Sequence, residues 1–361
     1  MSTLSVTLRQ PDDWHVHLRD GMVLSAVAPF TAGAFARAIV MPNLTKPITT
    51  VKAAINYHQR INMACKKISV NKSSEQKNQF QPLMTIYLME DLSLPELVRG
   101  YNEKIFTAAK FYPLNVTTNS MFGVQSITAI NYLLERMEAI GIPILVHGEV
   151  IDPEVDIFDR EKVFIDRHLI SIHKRFPMLK IVLEHITTAD AVHFVESTGS
   201  QIAATITPHH LHLNRNAMFH EGIRSDLYCL PVLKRERHRL ALRHAATSGN
   251  PKFFLGTDSA PHVRQSKETS CGCAGIFNAP YAIESYAQVF EEEGKLELFE
   301  GFASLYGPQF YGLPVNENRI TLEKRRHKVP MHIHWNGINN ERITLVPLHA
   351  GENLQWKIKQ D

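Results

Sequence analysis

The chain has 361 residues, 44% of them hydrophobic and 21% charged, so it has enough apolar material for a sizeable core and is not a disordered polymer. A formal charge of only +3, with no block of like charge, argues against nucleic acid or an anionic membrane as the main partner. No run approaches the ~18 apolar residues of a membrane helix, no basic stretch leads into an apolar one at the N-terminus, and the cysteines suit reduced thiols, so the reading is cytoplasmic.

In chain order, short β-rich apolar runs alternate with longer helical patterns, the signature of a parallel sheet wrapped by helices. Strand candidates fall at 13–17, 38–42, 83–88, 106–111, 144–147, 181–185, 202–207 and 253–256. Helices are predicted at roughly 22–35, 48–66, 94–104, 121–140, 158–176, 188–199 and 235–249, with another after 279. Eight βα units fit a closed (β/α)8 TIM barrel, a fold of ~250 residues. That places the barrel at about 10–315 and a C-terminal extension at about 316–361 of a single domain. The polar tract 66–81, without apolar period, reads as an exposed loop insertion. Lys324-Arg325-Arg326 reads as a solvated turn, and His332 and His334 as part of a C-terminal strand.

Barrel enzymes place their chemistry where the strands end. Here those ends offer His15 and His17, Asn43, Lys110, His147, His185 and Asp258. A lone histidine at such a place is usually a hydrogen-bonded core or surface residue. Four of them with a lysine and an aspartate on one rim outweigh that reading. His15 and His17, at alternate strand positions, can grip one metal ion from the same face.

Lys110 needs a separate account, because an ammonium has no lone pair. A +1 charge about 4 Å from a +2 ion is repelled by roughly 8 kcal/mol at an effective dielectric of 20. The lysine therefore loses its charge or points elsewhere. Burial and nearby cations depress its pKa, and the free amine then reacts with CO2 to give a carbamate with two oxygens. A lysine capping its strand with a packed stem is the plainer alternative.

Ordered motifs run from about residue 12 to 314: WHVHLRD, MPNL, TAAKFYP, TTNS, LVHGE, FDRE, LEHITT, AATITPHHL, YCLPVLKR, FLGTDSAPH, SCGCAGIFNAP and GPQFYGLPVN. On these the chain closely resembles the dihydroorotases, in their shorter bacterial form within the amidohydrolase superfamily. The resemblance implies a homodimer with two Zn2+ per subunit. One ion would be held by His15, His17, carboxylated Lys110 (N6-carboxylysine) and Asp258, the other by Lys110, His147 and His185. Arg19, Asn43 and His262 would bind the substrate α-carboxylate, and main-chain groups at Leu230 and Ala274 the rest of the ring. A mobile loop would span 114–121, including Thr117 and Thr118, and Asp258 would be the catalytic proton carrier. The implied reaction is the reversible cyclisation of N-carbamoyl-L-aspartate to L-dihydroorotate and water, a step of pyrimidine biosynthesis. Small molecules, not nucleic acid or membrane, would be the partners.

Three features depart from the family pattern: the 66–81 insertion, His209 where glutamine is expected, and a divergent 321–345. His209-His210-Leu211-His212 looks like a metal site, but with enough ligands already present it reads as supporting or surface residues. Cys271-Gly272-Cys273 reads as shaping the loop that places Ala274. Two other functions compete. Another cyclic-amide hydrolase, a hydantoinase or dihydropyrimidinase, would have no use for Arg19, Asn43 and His262 together, and a non-catalytic scaffold would have lost metal ligands.

Overall fold

Eight short strands, buried along almost all their length, pair in chain order in one parallel sheet. They are β2 (Asp12–Val16), β3 (Arg37–Val40), β4 (Gln81–Tyr87), β5 (Ala108–Phe111), β6 (Ile144–Val146), β7 (Ile181–Leu183), β8 (Ile202–Ile206) and β9 (Phe253–Leu255). The sheet curls until β2 meets the residues after β9: Val16 bridges Ser259, His17 N–H donates to the Ser259 carbonyl at 3.0 Å, and Asp258 N–H to the His15 carbonyl at 2.8 Å. This is the expected TIM barrel. The computed structural model describes residues 4–66, 80–337 and 341–359.

Period-two alternation sorts each strand into an inner and an outer row. Ile39, Leu83, Ala108, Leu145, Val182, Ala203 and Phe254 fill the barrel interior with Trp14, while Val40, Ala109, Ile144, Val146, Ile181 and Leu255 face the helices. Lys110, two residues beyond Ala108, therefore shares the inner face. β2 departs from the rule. Trp14 packs inside and Val16 outside, and the register against β3 shifts between Asp13 and Val16. Such a bulge re-aims side chains, and here it allows Trp14 below and both histidines above to occupy one interior.

Most helices fall within a few residues of expectation. Ser93 and Thr188 cap theirs by accepting from the amides of Glu96 and Ala191. Two helices differ. The one predicted at 121–140 begins only with a 3-10 turn at Ile127–Ile130 and an α-helix at Asn131–Ile140. The preceding residues instead run back along β5's exit: Val124 bridges Pro113 and its N–H donates to the Tyr112 carbonyl at 2.8 Å. The helix predicted at 158–176 carries a π turn, Ile165–Leu169, between Arg160–Phe164 and Ile170–Arg175.

The C-terminal extension contains more than expected. β10 (Arg319–Lys328) lies between β1 (Ser5–Arg9) and β13 (Asn353–Ile358) in an antiparallel sheet, so the two ends of the chain pair. Leu8, Leu322 and Trp356 join the apolar layer around the barrel. Lys324-Arg325-Arg326 is solvated but lies inside β10 rather than in a turn; Lys324 pairs with Glu291 across to a barrel helix. His334 lies in β11 (Ile333–Asn336), paired with β12 (Arg342–Leu345), and His332 immediately precedes it. Of the 66–81 tract, residues 67–79 lie outside the described residues, Phe80 is buried and Gln81 opens β4. Among the described residues no helix is long and apolar enough to cross a membrane.

Candidate active site at the barrel rim

Residues just before and beyond the strand ends converge on a small cavity. Its lining includes His17, Arg19, Asn43, Tyr112, Thr117, Thr118, His147, His185, Leu230, Asp258 and Ala274. His15 lies directly behind His17, and His262 behind Arg19. The fold thus brings together the residues read from the sequence as candidate metal- and substrate-binding groups, whereas His332 and His334 lie elsewhere, at the small sheet of β11 and β12.

His15 Nε2, His17 Nε2 and Asp258 Oδ1 form a triangle with sides of 3.3, 3.4 and 3.1 Å, three lone-pair donors aimed at one point. What aims them is the opposite edge of each ring. His15 Nδ1–H donates to Glu184 Oε2 at 2.5 Å, and His17 Nδ1–H to Asn43 Oδ1 at 2.9 Å. Each bond fixes the tautomer that leaves Nε2 free, the usual support of a metal-binding imidazole. Glu184 also accepts from the Thr205 hydroxyl at 2.8 Å, and that oxygen accepts the His185 main-chain N–H at 2.7 Å. His147 Nε2–H donates to Glu149 at 2.8 Å, leaving Nδ1 available. The His185 ring stands 4.8 Å from that of His147 and 4.9 Å from that of His15, so a second donor pair adjoins the triangle.

Lys110 lies among these groups. Its side chain is fully buried, and its Nζ has no hydrogen-bond partner. Burial pulls the ammonium down to about 8, against the opposing pull of Glu184 and Asp258. His185 Nδ1 is likewise buried and unpartnered. An orphaned amine and an orphaned imidazole nitrogen in a buried site are what a bound metal would explain, since stray buried polar atoms are otherwise rare. Burial also raises Asp258 above the ordinary carboxylate range.

The rim is strained where it turns. Arg19, His185 and Asp258 have φ of 59°, 40° and 45°. Non-glycine residues rarely adopt such conformations, which cost of order 1–3 kcal/mol each and persist where surroundings impose them. Asp13 is one such anchor for Asp258: it accepts from Thr257 N–H at 2.8 Å and Thr257 O–H at 2.6 Å, tying β2 to the exit of β9.

Arg19 Nε–H donates to the Pro261 carbonyl at 3.1 Å and an Nη2–H to His262 Nε2 at 2.8 Å, leaving further N–H groups on the cavity side. Burial and the adjacent Arg19 keep His262 neutral, with a strongly lowered pKa. Residues 114–121 lie folded over the opening. Asn43 Nδ2–H donates to the Thr118 carbonyl at 3.0 Å, Asn119 Nδ2–H to the Asn43 carbonyl at 3.0 Å, and Thr118 O–H to the Ala274 carbonyl at 3.4 Å. Asn115 and Asn119, both at positive φ, bracket this closed loop.

Sequence reasoning passed over Glu184, Glu149, Thr205, Asp13 and Tyr112. The two glutamates stood one and two residues from singled-out histidines in LEHITT and LVHGE, and a carboxylate that close to a candidate ligand was the available signal. Tyr112 lines the cavity with a buried, unpartnered hydroxyl.

His209 and His210 are buried, so no surface role applies to them. Together with Cys229 they place ligand-capable atoms within 4.8 Å of one another. Most of these atoms are already engaged: His210 Nδ1 and Nε2 meet the Thr207 hydroxyl and the Pro231 carbonyl at 2.7 and 3.1 Å, Cys229 Sγ meets that carbonyl at 3.3 Å, and His209 Nδ1 accepts from Asn278 Nδ2–H at 3.2 Å, leaving His209 Nε2 buried without a hydrogen-bond partner. Burial lifts the Cys229 thiol to about 12. This trio braces the wall behind the site. The Cys271-Gly272-Cys273 turn does shape the loop before Ala274, for a Cβ on Gly272 would come within 2.5 Å of the Lys267 carbonyl.

Residues 13–344 match the model of the amidohydrolase family. A dihydroorotase of Synechococcus sp. (strain RCC307) is 59% identical over 98% of this chain and 97% of its own length. Among solved structures, a dihydroorotase from Saccharomyces cerevisiae in complex with 5-fluoroorotic acid superposes with a TM-score of 0.87 at 32% identity, covering 98% of each chain. One from Campylobacter jejuni gives 0.86 at 33% identity over 100% of this chain and 99% of its own.

Proposed function

This chain belongs to the amidohydrolase family, among its dihydroorotases, and from that premise we propose that its rim holds two zinc ions and interconverts N-carbamoyl-L-aspartate with L-dihydroorotate and water. Membership makes it a hydrolase of pyrimidine biosynthesis. The observation that carries the finer reading is Lys110, a buried amine with no hydrogen-bond partner and a lowered pKa, flanked by a histidine–aspartate triangle on one side and by His147 and His185 on the other. An uncharged amine adds CO2 and releases a proton, giving an anionic carbamate with two oxygens able to act as ligands. His15, His17, Asp258 and carboxylated Lys110 would hold one ion, and Lys110, His147 and His185 the other. Such a pair supplies Lewis acidity for a carbonyl and a water that is nucleophilic at neutral pH.

The protein's own groups do the remaining work. Arg19, with Asn43 and His262, takes the α-carboxylate, for which a planar guanidinium offers two parallel donors. The Saccharomyces relative binds 5-fluoroorotic acid, itself a carboxylated pyrimidine, which supports an acidic ring ligand. A neutral cyclic amide gives these three residues no partner, so the hydantoinase alternative is disfavoured. Main-chain groups at Leu230 and Ala274 orient the ring. Asp258 accepts a proton from the attacking water and returns it to the departing ring nitrogen; in the reverse direction the same exchange closes the ring. Thr117 and Thr118, on the closed loop, donate to the substrate and exclude bulk water. The resemblance extends the proposal to one catalytic domain in a cytoplasmic homodimer, its subunit number open to sedimentation analysis.

The decisive assay compares L-dihydroorotate with uncharged dihydrouracil. Hydrolysis of the former, with turnover of the latter lower by orders of magnitude, is the expected result. Equal rates would transfer the assignment to a general cyclic-amide hydrolase.

A further inference from the structure

Lys267 ends the short helix Arg264–Lys267 but is only 6% exposed, its ammonium turned into the protein. Nζ donates to three main-chain carbonyls: Tyr228 at 3.0 Å, Cys273 at 3.1 Å and Gly275 at 2.5 Å. An ammonium has three N–H groups and accepts nothing, so this cradle uses its full capacity. Among the described residues no carboxylate reaches it. Carbonyl dipoles alone replace its hydration, an arrangement that keeps a buried charge only if all three stay in place.

The carbonyls come from two separate segments that both reach the cavity. One leads from Tyr228 to Leu230, and the other runs from Cys273 through Ala274 to Gly275. The segments also hydrogen-bond directly, Gly275 N–H donating to the Tyr228 carbonyl at 2.9 Å. The second segment is also wedged against the chain following Asp258: Gly275 has φ of +146°, and a Cβ there would lie 2.3 Å from the Ala260 carbonyl.

We propose that Lys267 is a positioning residue for substrate, its ammonium setting the separation of the 228–230 and 273–275 segments so that Leu230 and Ala274 present their main-chain groups to the ring together. The proposal rests on the reading that those groups contact substrate. Its chemistry points to an effect on binding, since Lys267 touches neither the candidate metal ligands nor the reacting atoms.

The test is Lys267→Met, which keeps the stem and removes the donors, with Lys267→Arg as a second variant whose planar fork cannot aim three N–H groups into one cradle. Two readouts are taken. One is the steady-state kinetics of dihydroorotate hydrolysis at wild-type metal content. The other is labelling of Cys229, 1% exposed within the 228–230 segment, by a thiol reagent read by peptide mass. The expected result for Lys267→Met is a KM raised about tenfold with kcat within about threefold, the pattern of lost ground-state binding, and a labelled Cys229. Lys267→Arg should move both readouts in the same direction by less. A labelled Cys229 with unchanged KM would leave the clamp standing and overturn the substrate contacts at Leu230 and Ala274. Protected Cys229 with wild-type KM, in Lys267→Arg alone should the Met variant not fold, would overturn the clamp. A fall in kcat that tracks metal loss would show a merely structural role and overturn the positioning proposal.

Discussion

The lower and upper halves of the barrel interior are lined by the same eight strands, yet they are built to opposite rules. Below, Trp14 packs with Ile39, Leu83, Leu145 and Phe254, and Tyr311 stacks on it at 4.6 Å with ring planes 10° apart. Gly307 passes so close that a Cβ would lie 1.9 Å from Trp14 Nε1. Above, the same interior holds Lys110, four histidines and Asp258, with left-handed backbone at three positions. One half minimises free energy locally, and the other holds it high for chemistry. The difference teaches that stability and reactivity are separated along the strand direction rather than between domains, so substitutions in the two halves should fail in different ways.

The largest effect expected is from Asp258→Asn, which keeps the shape and loses the base. Turnover should fall by ~10²–10⁴, the range for a general acid–base group, while thermal stability holds or rises because a desolvated carboxylate is removed. Near-normal turnover in a fully metallated variant would sink the assigned role. Trp14→Ala should invert the pattern, lowering unfolding free energy by about 3–5 kcal/mol and leaving KM near wild type where the protein stays folded. A denaturant titration beside a kinetic run checks both halves of that statement.

Glu284 sharpens the contrast, being a buried carboxylate far from any chemistry. Its Oε1 accepts from Ile358 N–H at 3.3 Å, its Oε2 has no partner, and burial pushes its pKa up from 4.5 to about 7. Between those values the folded protein holds a proton that the unfolded chain has released. This contribution to stability therefore declines as pH rises from about 4.5 through about 7 and is flat above. Glu284→Gln should remove that decline and stabilise the protein at pH 8 by on the order of 3 kcal/mol, with activity unchanged. Parallel stability–pH curves for the two proteins would contradict it.

The smallest effect is expected from Arg19→Lys, which conserves charge but not the two-point grip. Loss of one charge-assisted bond, about 1.5–2 kcal/mol, should raise KM for dihydroorotate roughly tenfold and leave dihydrouracil turnover nearly unchanged. Equal losses on both substrates would mean damage to the neighbouring His15 and His17 instead.

Sequence showed which residues arrive at the rim better than it showed how they are held. Strand ends are marked by local apolar runs, so Lys110, His147 and His185 were legible one at a time. The bulge in β2 was not, because placing Trp14 and His15 inside one barrel depends on the register with β3 and leaves no local pattern. Nor were the positive φ angles of Arg19, His185 and Asp258: Asp and His enter that region more readily than most residues but seldom do so, and here Asp13, Thr205 and neighbouring main chain impose it. Glu184 was hidden by proximity. Beside His185 in sequence, it serves His15 across the barrel, a pairing that only sheet closure creates. The partnership of β1 with β10 spans some 310 residues and has no short-range signal at all.

The proposal that the rim would hold two zinc ions, with carboxylated Lys110 among their ligands, is tested most directly by metal stoichiometry. Elemental analysis of the purified protein, with dihydroorotate hydrolysis measured on the same sample before and after dialysis against a chelator, should find two zinc ions per chain and activity that disappears and returns with them. Protein that remains fully active with no bound metal would contradict the account.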